Sequence, residues 1–366
     1  MRTRILPYAL VLLTLQEVTV DEVTPLQGVW LTHDQAAVLS SLSLVDRGSP
    51  GAPRPTLEMT GVNLRVVNGL GATNGYPLDP TSTDPALTAT DGSGNVIVGY
   101  AEPSSLAGDV RSGSHNLVLG SGQGYSSYGG LVHGRDHRVE APYGVALGGD
   151  QLRVEASAIE GVAAAGIANV VSGRGAVALG GLDNRASGWL SVATGGHLNV
   201  ASGETAVTSG GYRNTASGLH ASISGGQDGL ASNTEATILG GWSGLASGNN
   251  STVLGGSDCE ARGTNSVAAG GHGSLASGTN SVASGGQDGT ASGTEAVVSG
   301  GFECRASGNN AVVHGGNSNV ASGTNSVVTG GRDNRASGTS SSVSGGRNRS
   351  ATGTFDWAAG REYEDD

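Results

Sequence analysis

Gly-Gly pairs recur every fifteen residues in this chain, twelve pairs from Gly180 to Gly345. A fixed period of this length marks a solenoid, in which each unit is one turn and neighbouring turns bury each other. One unit reads Gln287-Asp-Gly-Thr-Ala-Ser-Gly-Thr-Glu-Ala-Val-Val-Ser-Gly-Gly301. We number the residue after each Gly-Gly pair as column one. Column five is then Ala from Ala186 to Ala351. Column ten is small (Ala206, Ser251, Ser281, Ala296), and columns eleven and twelve are β-branched or Ala, as in Val297-Val298. So few residues per turn make a narrow coil whose interior admits only small side chains. The pattern predicts an all-β parallel β-roll, or β-solenoid, with one short strand at columns nine to thirteen and a second extended piece through the Ala.

Column seven is Gly in nearly every unit, with Asn233 the exception among the central units. Column three is mostly Asn or Gly, as at Asn184, Asn199 and Gly229. Gly exchanged only for Asn is what a left-handed backbone asks for. Left-handed corners are therefore expected at both columns, with Gly218→Asn tolerated and Gly218→Val not. Upstream, the strand signature continues at Val96–Val98, Leu117–Leu119, Leu131–His133, Val145–Leu147 and Val162–Ala164, with steps of 21, 14, 14 and 17 residues. The solenoid is thus expected from about Asn95. Its regular part, residues 152–361, holds fourteen units, and these would stack to roughly 67 Å at a strand spacing of about 4.8 Å.

Composition narrows the alternatives. Of 366 residues 65 are Gly, only 10 are Pro and two are Phe. Collagen needs far more Pro, and a large globular core needs more bulky side chains. A net charge of −12 with no Lys argues against a nucleic-acid partner. Cys259 and Cys304 share column three, three coils apart. That places them roughly 14 Å apart, so they are expected to be free thiols. Neither Cys nor the scattered His form a metal-ligand cluster, and no nucleophile elbow, P-loop or zincin motif occurs. Asp183, Asp228, Asp258 and Asp288 recur in column two, which reads as turn chemistry rather than calcium binding. No cofactor or metal is expected.

The remaining regions are less regular. Residues 1–30 carry Arg2 and Arg4 before an apolar run from Ile5 to Leu15. That resembles a secretory signal, although Pro7 interrupts it and no small-residue cleavage site follows before Glu17. No run reaches the length of a membrane span, so no integral membrane anchor is expected. Residues 31–94 read as a cap or adaptor, with a short helix opening at Thr32 and two strand pieces over 57–67 in which Val62, Leu64 and Val66 share a face. Trp357 is expected to close the last coil, and residues 362–366 form an acidic tail.

The stretch Thr264-Asn-Ser-Val-Ala268, repeated at 279–283 and followed by Gly-Gly and then Ala-Ser-Gly, resembles the head repeats of trimeric autotransporter adhesins. The resemblance to these YadA-like heads covers residues 150–361 well and 95–150 loosely. It implies a left-handed parallel β-roll, three chains side by side, on a bacterial surface. The chain departs from the family where Ile is usual: Leu179, Thr194, Ser209, Ala269 and Ser284 stand there. It also shows no coiled-coil stalk or membrane-anchor pattern.

The reading of function is a non-enzymatic cell-surface or extracellular β-roll, expected to be trimeric from the two apolar faces of its strand, with an adhesin-like or structural role. The ligand, a glycan or a protein, is not specified by the sequence. The alternative is a trimeric fibre component of a phage or phage-like particle. A pectin-lyase-type enzyme fits poorly, because it needs wider coils and clustered carboxylates. The candidate binding ridge is column one, which is varied and often bulky: His197, Tyr212, Gln227, Trp242 and Phe302.

Overall fold

The computed structural model describes residues 41–46, 54–104 and 110–360. The proposed signal segment, the helix at Thr32 and the acidic tail lie outside the described residues. The chain divides into two compact units, Met1–Arg65 and Val66–Asp366. In the first, strand β1 (Leu42–Asp46) pairs antiparallel with β2 (Pro55–Met59), Leu44 facing Leu57. The expected second strand piece over 60–67 does not form; Val62 and Leu64 are exposed in irregular chain.

The second unit is a parallel β-solenoid with no helix among its described residues. One open sheet of eighteen short strands runs from Val96–Val98 to Trp357–Ala359. A second sheet, of sixteen strands, runs from Gly124–Tyr125 to Ser350–Ala351 through columns four and five. A third ladder of single bridges links column one of successive coils, from Asp150↔Ile167 to Arg332↔Arg347. The long strands pair in the steps read from the sequence. Val96 faces Leu117, Leu117 faces Leu131, Leu131 faces Val145, Val145 faces Val162, and Val162 faces Val177.

Four columns point inward. Ala at five, Ala or Ser at ten, and the residue at twelve are buried in every regular coil up to the last. Column twelve takes the larger side chains, Ile223, Ile238 and Val253, where column eleven is Ser222, Thr237 or Thr252. Column three is the fourth. Where it is Gly, the volume comes from column twelve: a Cβ on Gly244 or Gly289 would lie 3.2 Å from Val253 or Val298.

Two of the expected corners are overturned. The left-handed residues are column two (Asp183, φ 52°), column nine (Asn265, φ 54°) and the Gly-Gly pair itself (Gly210, φ 70°; Gly211, φ 80°). Column seven is not left-handed. A Cβ on Gly218 would lie 1.9 Å from the carbonyl oxygen of Asn233, so Gly is there because two coils touch backbone to backbone. Column three is not a corner either. Asn184, Asn199 and Asn214 are fully buried and form a ladder. The side-chain oxygen of Asn184 accepts from the backbone N–H of Asn199 at 3.0 Å, and the Asn184 amide donates to the carbonyls of Gly180 and Gly196, each at 3.2 Å. The amide thus satisfies backbone groups that the turn leaves unpaired.

At the far end, Trp357 stands in column eleven of the last strand and is 66% exposed. It does not plug the coil; Ala358 takes the inward position. Near the start of the solenoid, residues 66–94 are irregular and lie on the first coils. Asn68 N–H donates to His115 Nε2 at 3.3 Å, and Tyr128 donates its hydroxyl proton to the Ser82 carbonyl at 2.9 Å. The carboxylate of Asp91 accepts from the backbone and hydroxyl of Ser93 and from the Ser114 hydroxyl, which hold its pKa down at about 2.

Candidate functional site

Column one follows the Gly-Gly corner and bridges to the same column above and below, which fixes its side chains in a single file. His197, Tyr212, Gln227 and Trp242 occupy four successive coils of that file. Phe302 lies four coils further on, beyond Ser257, His272 and Gln287. Tyr212, Gln227, Trp242 and Phe302 are exposed, whereas His197 is half-buried. The rings of His197 and Tyr212 lie 5.3 Å apart at a tilt of 52°. The Arg213 guanidinium sits 5.8 Å from the Tyr212 ring centre and pairs with Asp228 at 3.2 Å. The file therefore gives a continuous aromatic and cationic strip over the first two of these coils, with Trp242 exposed at 49% two coils away.

The structure adds neighbours that column one alone did not suggest. Leu239 and Leu254, in column thirteen, are 51% and 43% exposed, and Leu239 is one Gly-Gly corner from Trp242. On the opposite corner Trp189 and Leu190 are also exposed, and Leu190 holds a left-handed φ of 52°. Leu is a poor choice for that conformation, which column nine elsewhere gives mostly to Asn, Glu or Ser. A bulky apolar residue in a column of Asn was the signal available in the sequence.

The column-two Asp residues occupy left-handed turns, and Asp228 and Asp258 lie near Arg213 and His272 rather than near each other. Cys259 and Cys304 are free and buried, each with its thiol toward the next corner's carbonyl oxygens, 3.3 Å from Gly270 and Gly315 respectively. Burial pushes the Cys304 thiol pKa up. His137, which the sequence did not single out, is fully buried in column three of an early coil. Its Nδ1 accepts from the Leu152 N–H at 3.1 Å and its Nε2 faces the His133 carbonyl at 3.0 Å. Burial pushes its pKa below the usual value.

A groove of ≈ 520 Å³ lies between residues 83–90 and the coils carrying Tyr128, Glu140 and Ile159. Its floor is Tyr128, edge-on to Tyr143 at 5.4 Å. Glu140 is engaged by Arg138, so the groove presents hydroxyls and prolines rather than an acid–base pair. Among the described residues no helix is long and apolar enough to cross a membrane.

The fold and its outward columns define a parallel β-solenoid of fifteen-residue coils, compatible with a β-roll. No protein-family model matches the chain, and no curated protein is similar enough to count as a relative.

Proposed function

We propose that the chain is a non-enzymatic cell-surface or extracellular β-roll with an adhesin-like or structural role, working as a homotrimer. The carrying observation is the outer face of the long-strand sheet. Column twelve is buried inside, so column eleven faces out, and it is Val in every coil from Val267 to Val327 and again from Val162 to Val207. These residues are only half-buried in the single chain. A straight rank of β-branched side chains on a parallel sheet supports lateral packing of identical rods, because parallel sheets are ordinarily covered on both faces. Three rods closing around their own axis cover every rank at once. The column-one file, on a different ladder, then stays available for a glycan or protein ligand.

Light scattering in dilute solution tests this reading. It expects a mass near three chains of 36.0 kDa, and a smaller species when Val282 and Val297 are both replaced by Arg. A folded monomer of the unaltered chain removes the trimer. Mass spectrometry of the secreted fraction, giving the mature N-terminus, tests export.

A further inference from the structure

The arginines of this acidic protein are not evenly neutralised. Arg135, Arg138, Arg153, Arg185, Arg213 and Arg262 each lie against a carboxylate. Arg174 and Arg305 have no ion pair with a described residue, but each stands alone on its coil; the last two coils differ in carrying four arginines. Residues 331–360 carry Arg332, Arg335, Arg347 and Arg349 and only two carboxylates, Asp333 and Asp356. Asp356 is occupied by the backbone N–H groups of Thr352 and Gly353, at 2.9 and 3.3 Å. None of the four arginines makes an ion pair with a described residue. Arg332 and Arg347 are direct partners in the column-one ladder, so their backbones stand about 4.8 Å apart along the coil axis and their side chains leave the same ridge as neighbours. Like charges directly opposite in a ladder are destabilising unless something neutralises them. Arg335 is three residues from Arg332, across the corner at Asp333. Arg349 enters column three, where Asn334 accepts its N–H at 3.0 Å, and its Nε is buried with no hydrogen-bond partner.

We propose that these four arginines form a binding site for an acidic polysaccharide, one bearing sulfate or uronate groups, that crosses the flank of the last two coils. Guanidinium groups meet sulfate and carboxylate through paired N–H donors. The patch spans two adjacent coils, one step of about 4.8 Å along the axis. A thin, flexible polyanion can lie across it without placing its other charges on the acidic coils above. A duplex nucleic acid or an anionic bilayer resting on the same flank could not, because the chain as a whole carries −12. Trp357 adds a face suited to a sugar ring: it is 66% exposed, and its indole N–H donates to Ser344 at 3.1 Å, three residues before Arg347. Arg332 and Arg347 stand in the same column-one file as the aromatics, two and three coils beyond Phe302, and of the residues named here only Trp357 lies in the column-eleven rank proposed to pack in the trimer.

The experiment uses the full chain and size-fractionated heparin as the probe. The expected result is retention on immobilised heparin at low salt, with affinity falling as salt rises. Replacing Arg332 and Arg347 by Ser should weaken binding by about tenfold or more, while Arg262→Ser, at an arginine already paired with Glu260 and outside the column-one ridge, should leave it unchanged. Both variants should keep the wild-type circular dichroism, since the replaced side chains are exposed. Four outcomes overturn the proposal: no retention of the unaltered chain, equal affinity of the double variant, tighter binding to phosphatidylserine vesicles than to heparin, or retention only after residues 362–366 are removed. The last would make the chain's own acidic tail the occupant.

Discussion

Coils between Val96 and Val162 advance by 21, 14, 14 and 17 residues, and those after Val162 by fifteen each time. The two regions fill the same narrow interior differently. In the early coils column five is Tyr125, Val139 or Val154 and column ten is Gly130, Gly144 or Gly161; Val171, in the first fifteen-residue coil, still packs against Gly161. In the regular coils column five is Ala, and column ten is Ala or Ser. The methyl groups have moved from one wall to the other. A Cβ on Gly144 would lie 2.8 Å from Val139 Cγ1. Column seven differs as well. It is Ser127 or Ala141 early, and Gly from Gly173 onward except at Asn233. The regular coils bring backbone onto backbone at that corner, and the early coils stand off by a side chain. Regularity therefore rests on glycine at this contact as well as at the Gly-Gly bend.

The sharpest way to break this contrast is an alanine at column seven. Gly293→Ala places a Cβ about 2.0 Å from the Gly308 carbonyl oxygen. We expect a loss of about 3 kcal/mol in urea unfolding, against about 1 kcal/mol or less for the reverse change Ala141→Gly in the early coils. Similar small losses for both would show that the corner relaxes.

Wall-to-wall compensation can be tested as a cycle. Gly144→Ala should cost about 2 kcal/mol alone and markedly less in a Val139→Ala background, because the incoming methyl takes the vacated space. Additive effects would mean that the two walls do not share one volume.

A smaller effect separates the regions by pH. His137 has a lowered pKa in the folded coil, so the unfolded chain takes up a proton first as pH falls below about 6.5. Stability is complete above that value and declines from there toward the lowered native pKa. His137→Asn, which can keep the column-three ladder, should flatten the decline. An unchanged pH profile in the variant would assign the effect to other groups.

The smallest change is a gain. Ser251, Ser266 and Ser281 bury hydroxyls with no hydrogen-bond partner in column ten. Ser266→Ala should be neutral or stabilising by up to about 1 kcal/mol. A clear loss of melting temperature would reveal a partner for that hydroxyl.

The period, the start near Asn95 and each irregular step were legible because strand pairing is in register and the strand signature is local. What sequence could not separate was the reason for each Gly. Column seven and the Gly-Gly pair look alike as letters, yet at column seven an added Cβ would lie about 2 Å from a carbonyl oxygen at an ordinary φ, whereas both glycines of the pair hold a positive φ and the second is crowded as well. Asn in column three was ambiguous in the same way. It suits a left-handed corner, and it also suits a buried ladder that completes backbone hydrogen bonds. The hairpin of Leu42–Asp46 with Pro55–Met59 gave no periodic cue, since most of its described side chains are exposed or half-buried. For the candidate ridge, the repeat placed all five residues in one column. It did not distinguish the half-buried His197 from the others, because ring packing between successive coils depends on which side chain comes next.

The uniform fifteen-residue register has a genetic consequence. A deletion or duplication of one whole unit anywhere after Val162 joins two junctions of the same geometry, so the chain can be shortened or lengthened by about 4.8 Å per event without a new turn or a shifted strand. Length is thus the property of this molecule most open to drift and selection, while the unequal early coils, each fitted to one neighbour, are fixed in number.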